Sequence, residues 1–312
     1  MGVLKELGIF FVALAGLIVA ARIFTRSSEN LGRRLHLPPF VIGIFIVGIG
    51  TSLPELIAGV VSVGRGFPEV MPGNVIGANV SNVLFITGLC VVLHRETLNL
   101  RSKYIFIDLH FLIGSFFFFA VIAWDGVIEF SESFMGIIIY LIYAFYLIRG
   151  EAELDQARPA GKKQPGWGFS LLFLLGASTG IYLSAEYTIL SLTRISELVA
   201  VPHAIVSLTL LSLGTTLPEL AVNMRLMMEK KAEMAIGNVL GSSVFNSLMI
   251  PSLSTLFGQA TLPAELLNLP LPIMAGSGLL FYLLTHDKKM SIWEGLLFVC
   301  LYGVFIIKVL GF

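Results

Sequence analysis

The chain has 312 residues, of which 56% are hydrophobic and only 13% charged, with a mean hydropathy of +0.89. That balance excludes a soluble globular domain, in which about a quarter of the residues are charged, and marks an integral membrane protein. Twenty basic and twenty acidic residues cancel, so their distribution along the chain, not their sum, carries the signal; no nucleic-acid partner is expected.

Runs of about 20 apolar residues, the length that crosses a bilayer as a helix, fall at 7–28, 38–64, 70–93, 104–124, 131–149, 167–192, 202–228, 233–257, 268–285 and 291–310. They predict an all-α multi-pass protein of ten transmembrane helices. The first run opens almost uncharged, with Lys5 beside Glu6, and continues into an Arg-rich loop; it reads as a span, not a cleaved signal peptide. One polar linker, GEAELDQARPAGKKQPG at 150–166, separates a first membrane half, 1–149, from a second, 167–312. Cys90 and Cys300 both fall in apolar runs, so no disulfide framework is expected.

Lys and Arg test the span count, because they gather on the cytoplasmic side. Sixteen of the twenty lie at loops after spans 1, 3, 5, 7 and 9; only Lys5, Arg65, Arg194 and Lys308 lie on the other face. This predicts a cell-membrane protein with both termini extracellular and the 150–166 linker cytoplasmic. Five spans per half is an odd number, so the halves enter the membrane from opposite sides. Inverted repeats of this kind place substrate near the midplane, between interrupted helices.

Two phrases recur at an offset of 164 residues. GIGTSLPEL at 48–56 pairs with SLGTTLPEL at 212–220, and GNVIGANVSN at 73–82 pairs with GNVLGSSVFN at 237–246. Pro54 and Pro218 have no N–H for the carbonyls of Gly50 and Gly214, and freed carbonyls at membrane depth need another partner. Thr51, Ser52, Thr215 and Thr216 bring hydroxyls, with Glu55 and Glu219 one turn after Thr51 and Thr215 and on the same face. Asn82 and Asn246 add amide oxygens and Ser242 another hydroxyl. Two carboxylates among neutral oxygens, without His or Cys, suit a hard cation such as Ca²⁺. Carboxylates at membrane depth need neutralising; one Ca²⁺, two monovalent cations or two protons would do so. Mutual exclusion among these would produce exchange.

Other polar positions carry weaker signals. Asp108 and His110 lack counterparts in the other half and are expected to pair structurally or to lie at the membrane interface. Glu186 is expected to seat helices or line an aqueous approach. Phe116–Phe119 is expected to face lipid, and Asp125, Glu129 and Glu132 to be solvated on an outer loop.

The paired GTSLPE and GTTLPE phrases, with their GNxxG partners, resemble the two α-repeats of the cation/calcium exchanger superfamily, in its prokaryotic sodium/calcium exchanger branch. The resemblance covers nearly the whole chain. It implies a secondary antiporter, not an enzyme, that exchanges Ca²⁺ for Na⁺ by alternating access, two gating helices sliding against a fixed bundle. It implies Glu55 and Glu219 as Ca²⁺ carboxylates, Thr51, Ser52, Thr215, Thr216 and Ser242 as oxygen donors, and carbonyls near Gly48 and Ser212 assisting. Ca²⁺ and Na⁺ would be substrates, with no cofactor, no obligate protein partner and the lipid bilayer as surroundings. Ala78 stands where relatives often have Ser, and Asn246 where several have Asp. The first departure removes a Na⁺-liganding hydroxyl and keeps open an H⁺/Ca²⁺ exchanger using the same glutamates. The second disfavours K⁺ cotransport.

Overall fold

The computed structural model describes residues 2–34, 50, 52–94, 98–99, 103–151, 167–228, 232–285 and 289–311. Gly48, Thr51, the first part of the span expected at 38–64 and most of the 150–166 linker lie outside the described residues.

The described chain is almost entirely helical. In order, the helices are α1 (Gly2–Arg34), α2 (Leu53–Gly64), α3 (Val70–His94), α4 (Lys103–Ile122), α5 (Phe130–Glu151), α6 (Trp167–Val199), α7 (203–215), α8 (Leu217–Met228), α9 (Ala232–Ser254), α10 (Ala264–Leu267), α11 (Pro270–Leu284) and α12 (Ile292–Val309). Seven of the described helical stretches are long and apolar enough to cross a membrane, and the apolar stretches Leu53–Gly64 and Leu109–Ile122 are shorter. In hydrocarbon only a helix or a closed barrel satisfies every backbone group, so this composition leaves helices as the available solution. Local signals set several ends: Ser291 and Glu294 form a reciprocal capping box at the start of α12.

Two short antiparallel ribbons tie loops together at the ends of the helices. β1 (Leu98–Asn99), after α3, pairs with β4 (Lys289–Met290), after α11; β2 (Val127–Ile128), after α4, pairs with β3 (Ala260–Thr261), after α9. The loop between α2 and α3 joins the second ribbon, because the Thr261 amide donates to the Pro68 carbonyl at 3.3 Å. The start of α7 lies there too, with His203, Thr261 and Leu262 lining one cavity of about 320 Å³.

Packing divides the molecule unequally. A large core joins α3, α4, α9, α11 and α12 through residues such as Met71, Val75, Leu112, Phe245, Phe281 and Phe298. A second core lies between α1 and α6, where Phe10, Leu14 and Leu17 meet Ile181, Ile189 and Leu192. That pair meets α2 through Ala58 and Val61, and a cleft of about 470 Å³, lined by Ile57, Arg65, Ile181 and Tyr182 among others, opens along the same boundary. Arg65 forms an ion pair with Glu186 across it, so Glu186 seats α6 against the end of α2.

The phenylalanine run departs from expectation. Phe116 and Phe119 are buried, at 1% and 0% exposure, while Phe117 is 69% exposed. The helical period explains this, since positions three apart share a face whereas adjacent ones do not. His110 stacks edge-on against Tyr282 of α11, ring centroids 5.5 Å apart, which agrees with a structural role.

Candidate functional site

Each repeated phrase starts a helix at its Leu-Pro-Glu, and the second also ends one just before it. In the first, Ser52 (φ −91°, ψ 9°) precedes α2 and Pro54 sits in its first turn, where the missing N–H would have had no helical acceptor. In the second, α7 ends at Thr215, Thr216 (φ −80°, ψ 0°) turns the chain, and α8 restarts at Leu217 with Pro218 next. Glu55 and Glu219 therefore occupy the first turns of α2 and α8. Helix N-termini carry partial positive charge, so each carboxylate sits where the backbone field favours it.

The glutamates are sealed from solvent, at 0% and 1% exposure, and lie near enough for their charges to interact. An ionised carboxylate at membrane depth costs about 2.5–3.5 kcal/mol on insertion scales. Two near each other cost more, unless a cation or protons intervene.

Most of the other oxygen-bearing residues expected from the sequence are buried as well. Ser52, Thr215, Thr216, Ser212, Asn82, Ser242 and Asn246 are all buried. The Thr215 hydroxyl approaches Glu55, and its proton is shared between two long contacts, to Asn74 Oδ1 at 3.4 Å and the Ser212 carbonyl at 3.2 Å. Both carboxylate oxygens of Glu55, Ser52 Oγ, both amide atoms of Asn82, Ser242 Oγ and Asn246 Oδ1 make no hydrogen bond among the described residues. Buried polar atoms are nearly always paired, and an orphan costs about 1–3 kcal/mol. The oxygens among these orphans are of the kind that could serve a hard cation. No cluster of three His, Cys, Asp or Glu side chains forms among the described residues, so a cation here would meet two carboxylates and neutral oxygens.

The Ser212 carbonyl differs. It accepts from the Thr216 amide at 3.0 Å and hydroxyl at 2.9 Å as well as from Thr215, so in this arrangement protein donors already occupy it. Two further features escaped sequence reasoning. Short π-helical segments, 81–86 and 207–211, distort α3 at Asn82 and α7 just before Ser212; such bulges accompany functional sites, and nothing in composition signals them. Asn74 reaches Thr215 across the halves. Its place beside the Gly opening the second phrase was visible, but its partner was not.

Glycine spacing permits the crossing that brings these pieces together. A Cβ at Gly73 would lie 2.6 Å from the Ala204 carbonyl oxygen, and one at Gly77 2.1 Å from that of Leu208. Only bare backbone lets α3 approach α7 so closely. The Ser207 hydroxyl adds a 2.6 Å bond to the Val70 carbonyl across the same contact. On the other side of the phrase Leu14 of α1 covers Gly214, where an added Cβ would sit 2.2 Å from Leu14 Cδ2.

Comparisons with known proteins agree with this architecture. A family model described as sodium/calcium exchanger protein matches residues 5–149 and 169–311. The chain is 29% identical to the uncharacterized membrane protein MJ0091 of Methanocaldococcus jannaschii over 95% of each, and 24% identical to the sodium/calcium exchanger MaX1 of Methanosarcina acetivorans over 96% of this chain and 97% of that one. Among solved structures, the sodium–calcium exchanger NCX_Mj soaked with 100 mM Na⁺ and 10 mM Sr²⁺ superposes with a TM-score of 0.66 at 26% identity, over 99% of both chains. With two matched stretches covering nearly all of both halves, the chain belongs to the sodium/calcium exchanger protein family, within the prokaryotic branch of the cation/calcium exchanger superfamily.

Proposed function

We propose that the chain is a secondary active antiporter that exchanges Ca²⁺ for Na⁺ by alternating access, with Glu55 and Glu219 as the carboxylates that both ions share. The single observation carrying this is the pair of solvent-sealed, electrostatically interacting glutamates at the starts of α2 and α8. Their charges suit one Ca²⁺ or two Na⁺, and the same oxygens cannot hold both sets at once. Asn82, Asn246, Ser52, Ser242, Thr215 and Thr216 complete the donor set in this reading, and Thr51 with the Gly48 carbonyl is assigned there from the sequence. The Ser212 carbonyl joins only in a conformation in which Thr215 and Thr216 release it.

Alternating access requires a part that moves. The α1–α6 pair is proposed for it, because it packs chiefly on itself, in a core separate from the large one, and a cleft runs along its boundary with α2. Leu14 over Gly214 places α1 directly on the second phrase, so sliding of the pair would uncover that side. Two inverted five-helix halves, 1–149 and 167–312, joined by the 150–166 linker, accord with the ribbons, which pair loops six spans apart after α3 and α11 at one end and four spans apart after α4 and α9 at the other. The charge asymmetry supports a cytoplasmic linker and extracellular termini.

The deciding experiment is Ca²⁺ uptake into proteoliposomes driven by an outward Na⁺ gradient with pH clamped on both sides. Uptake that collapses without Na⁺ is expected. A second reading, H⁺/Ca²⁺ exchange through the same glutamates, is favoured by Ala78, which is fully buried and supplies no hydroxyl where its counterpart Ser242 does. Uptake indifferent to Na⁺ but driven by a pH gradient would establish it instead.

A further inference from the structure

The second half carries a polar step that the first half lacks, and it lies one helical turn from the glutamates. Asn223 follows Glu219 by four residues on α8, which is one turn or about 6 Å along the axis and on the same face. Asn238 precedes Ser242 by four residues on α9, which runs back antiparallel to α8. Both helices therefore step from the site in one direction, away from the β2–β3 ribbon where α7 begins, and there the two amides meet. Asn238 Nδ2 donates to Asn223 Oδ1 at 3.3 Å. Asn223 is fully buried and its Nδ2 has no partner among the described residues, whereas Asn238 is partly exposed. The pair thus reaches from the buried level of Glu219 to a partly exposed level one turn further along α8 and α9.

The positions 164 residues earlier are Gly59 and Asn74. Glycine offers no side chain in any conformation, and the space its Cβ would take is filled by Met71, Ile250 and Ser254 at 3.0–3.1 Å. Asn74 is engaged instead with Thr215. The step from Glu55 toward the β2–β3 ribbon is therefore tightly packed, while the matching step from Glu219 is lined by two amides. This difference is written in the side chains themselves, so it does not depend on which state of the transport cycle is viewed.

We infer that Asn223 and Asn238 form a relay for the transported cation, on the side of the membrane that α8 and α9 approach, through which it trades the glutamate oxygens for water in two stages. Amide oxygens suit hard cations but carry no charge, so they hold the ion briefly and do not trap it. The Asn238–Asn223 hydrogen bond opens as the ion passes and closes behind it, tying α8 to α9 between transits. The inference rests on the antiporter reading.

The test compares wild type with Asn223→Ala and Asn223→Ser in proteoliposomes, measuring ⁴⁵Ca²⁺ flux, and in detergent, measuring equilibrium Ca²⁺ affinity by calorimetry. Loss of one stabilising ligand at the barrier is expected to slow Asn223→Ala flux about tenfold while its affinity stays within about twofold of wild type. Asn223→Ser, which keeps an oxygen, is expected to recover much of the rate. Wild-type flux in Asn223→Ala would overturn the relay. So would an affinity that falls in step with the flux, since that marks a structural or direct site residue. A wild-type protein that moves no Ca²⁺ would instead overturn the antiporter reading, and the relay with it.

Discussion

The two copies of the paired phrase deliver the same charge into unequal surroundings. Glu55 and Glu219 both lie in the first turn of a helix and both are sealed from water. Around them Ala78 stands against Ser242, Ser52 against Thr216, and Gly59 against Asn223. Duplication therefore accounts for the position of the charges, because a carboxylate pair needs both copies. Divergence shapes the oxygens and the routes around them. The unequal positions are also small or polar in each copy, so they can change without altering the apolar faces that hold the helices together.

The comparison breaks most completely if the carboxylates are not equivalent. Glu55→Gln and Glu219→Gln are each expected to cut Ca²⁺ flux by about 100-fold or more, as loss of a charge-assisted ligand of about 3 kcal/mol would do. Thermal unfolding of the ion-free protein should be no lower than wild type, since each change relieves the repulsion between two buried charges. A variant that transports at near wild-type rate would remove that glutamate from the site.

Packing provides the next largest effect. Gly77→Ala forces a Cβ against the Leu208 carbonyl and Ser212, and overpacking of this kind costs about 1–3 kcal/mol. Gly59→Ala meets flexible ends, the Met71 and Ile250 side chains and the Ser254 hydroxyl, and should lower the melting temperature distinctly less. Equal losses would mean that α3 and α7 do not depend on bare backbone at their crossing.

Ala78→Ser would make the first copy more like the second. Flux is expected to become more steeply dependent on Na⁺, read from the Na⁺ concentration giving half-maximal exchange, by about threefold if one added hydroxyl contributes a typical hydrogen bond of about 0.5–1.5 kcal/mol. An unchanged Na⁺ response would show that another oxygen already serves. The smallest effect is expected at Arg65→Ala. Its ion pair with Glu186 is substantially exposed, and such pairs contribute about 0–1 kcal/mol, so stability should barely move. A large loss would show that the α1–α6 pair is fastened to α2 by that contact and not by its apolar faces.

Much of the architecture was legible because membranes restrict the choices. Apolar runs of spanning length had to become helices, and α1, α3, α5, α9 and α12 lie where the runs do. The helix starts after Ser52 and Thr216 were legible from Gly-Thr-x-x-Pro, since Pro belongs in a first turn and not in mid-helix. Phe116–Phe119 misled because hydrophobicity alone does not distinguish lipid from core; the 3.6-residue period, which puts Phe116 and Phe119 inward, was the better guide. Asn223 lies outside both repeated phrases, so repetition along the chain does not mark it.

By itself the sequence determined the membrane class, the duplication and the pair of glutamates, because hydropathy and exact repeats are properties of order along the chain. Tertiary structure alone decided that Thr215 reaches Asn74, that protein donors occupy the Ser212 carbonyl, that Leu14 covers Gly214 and that Asn223 meets Asn238. Each joins different helices or depends on how one helix turns at its break. Such contacts are set by how closely the helices pack and at what rotation, quantities that no one-dimensional pattern records.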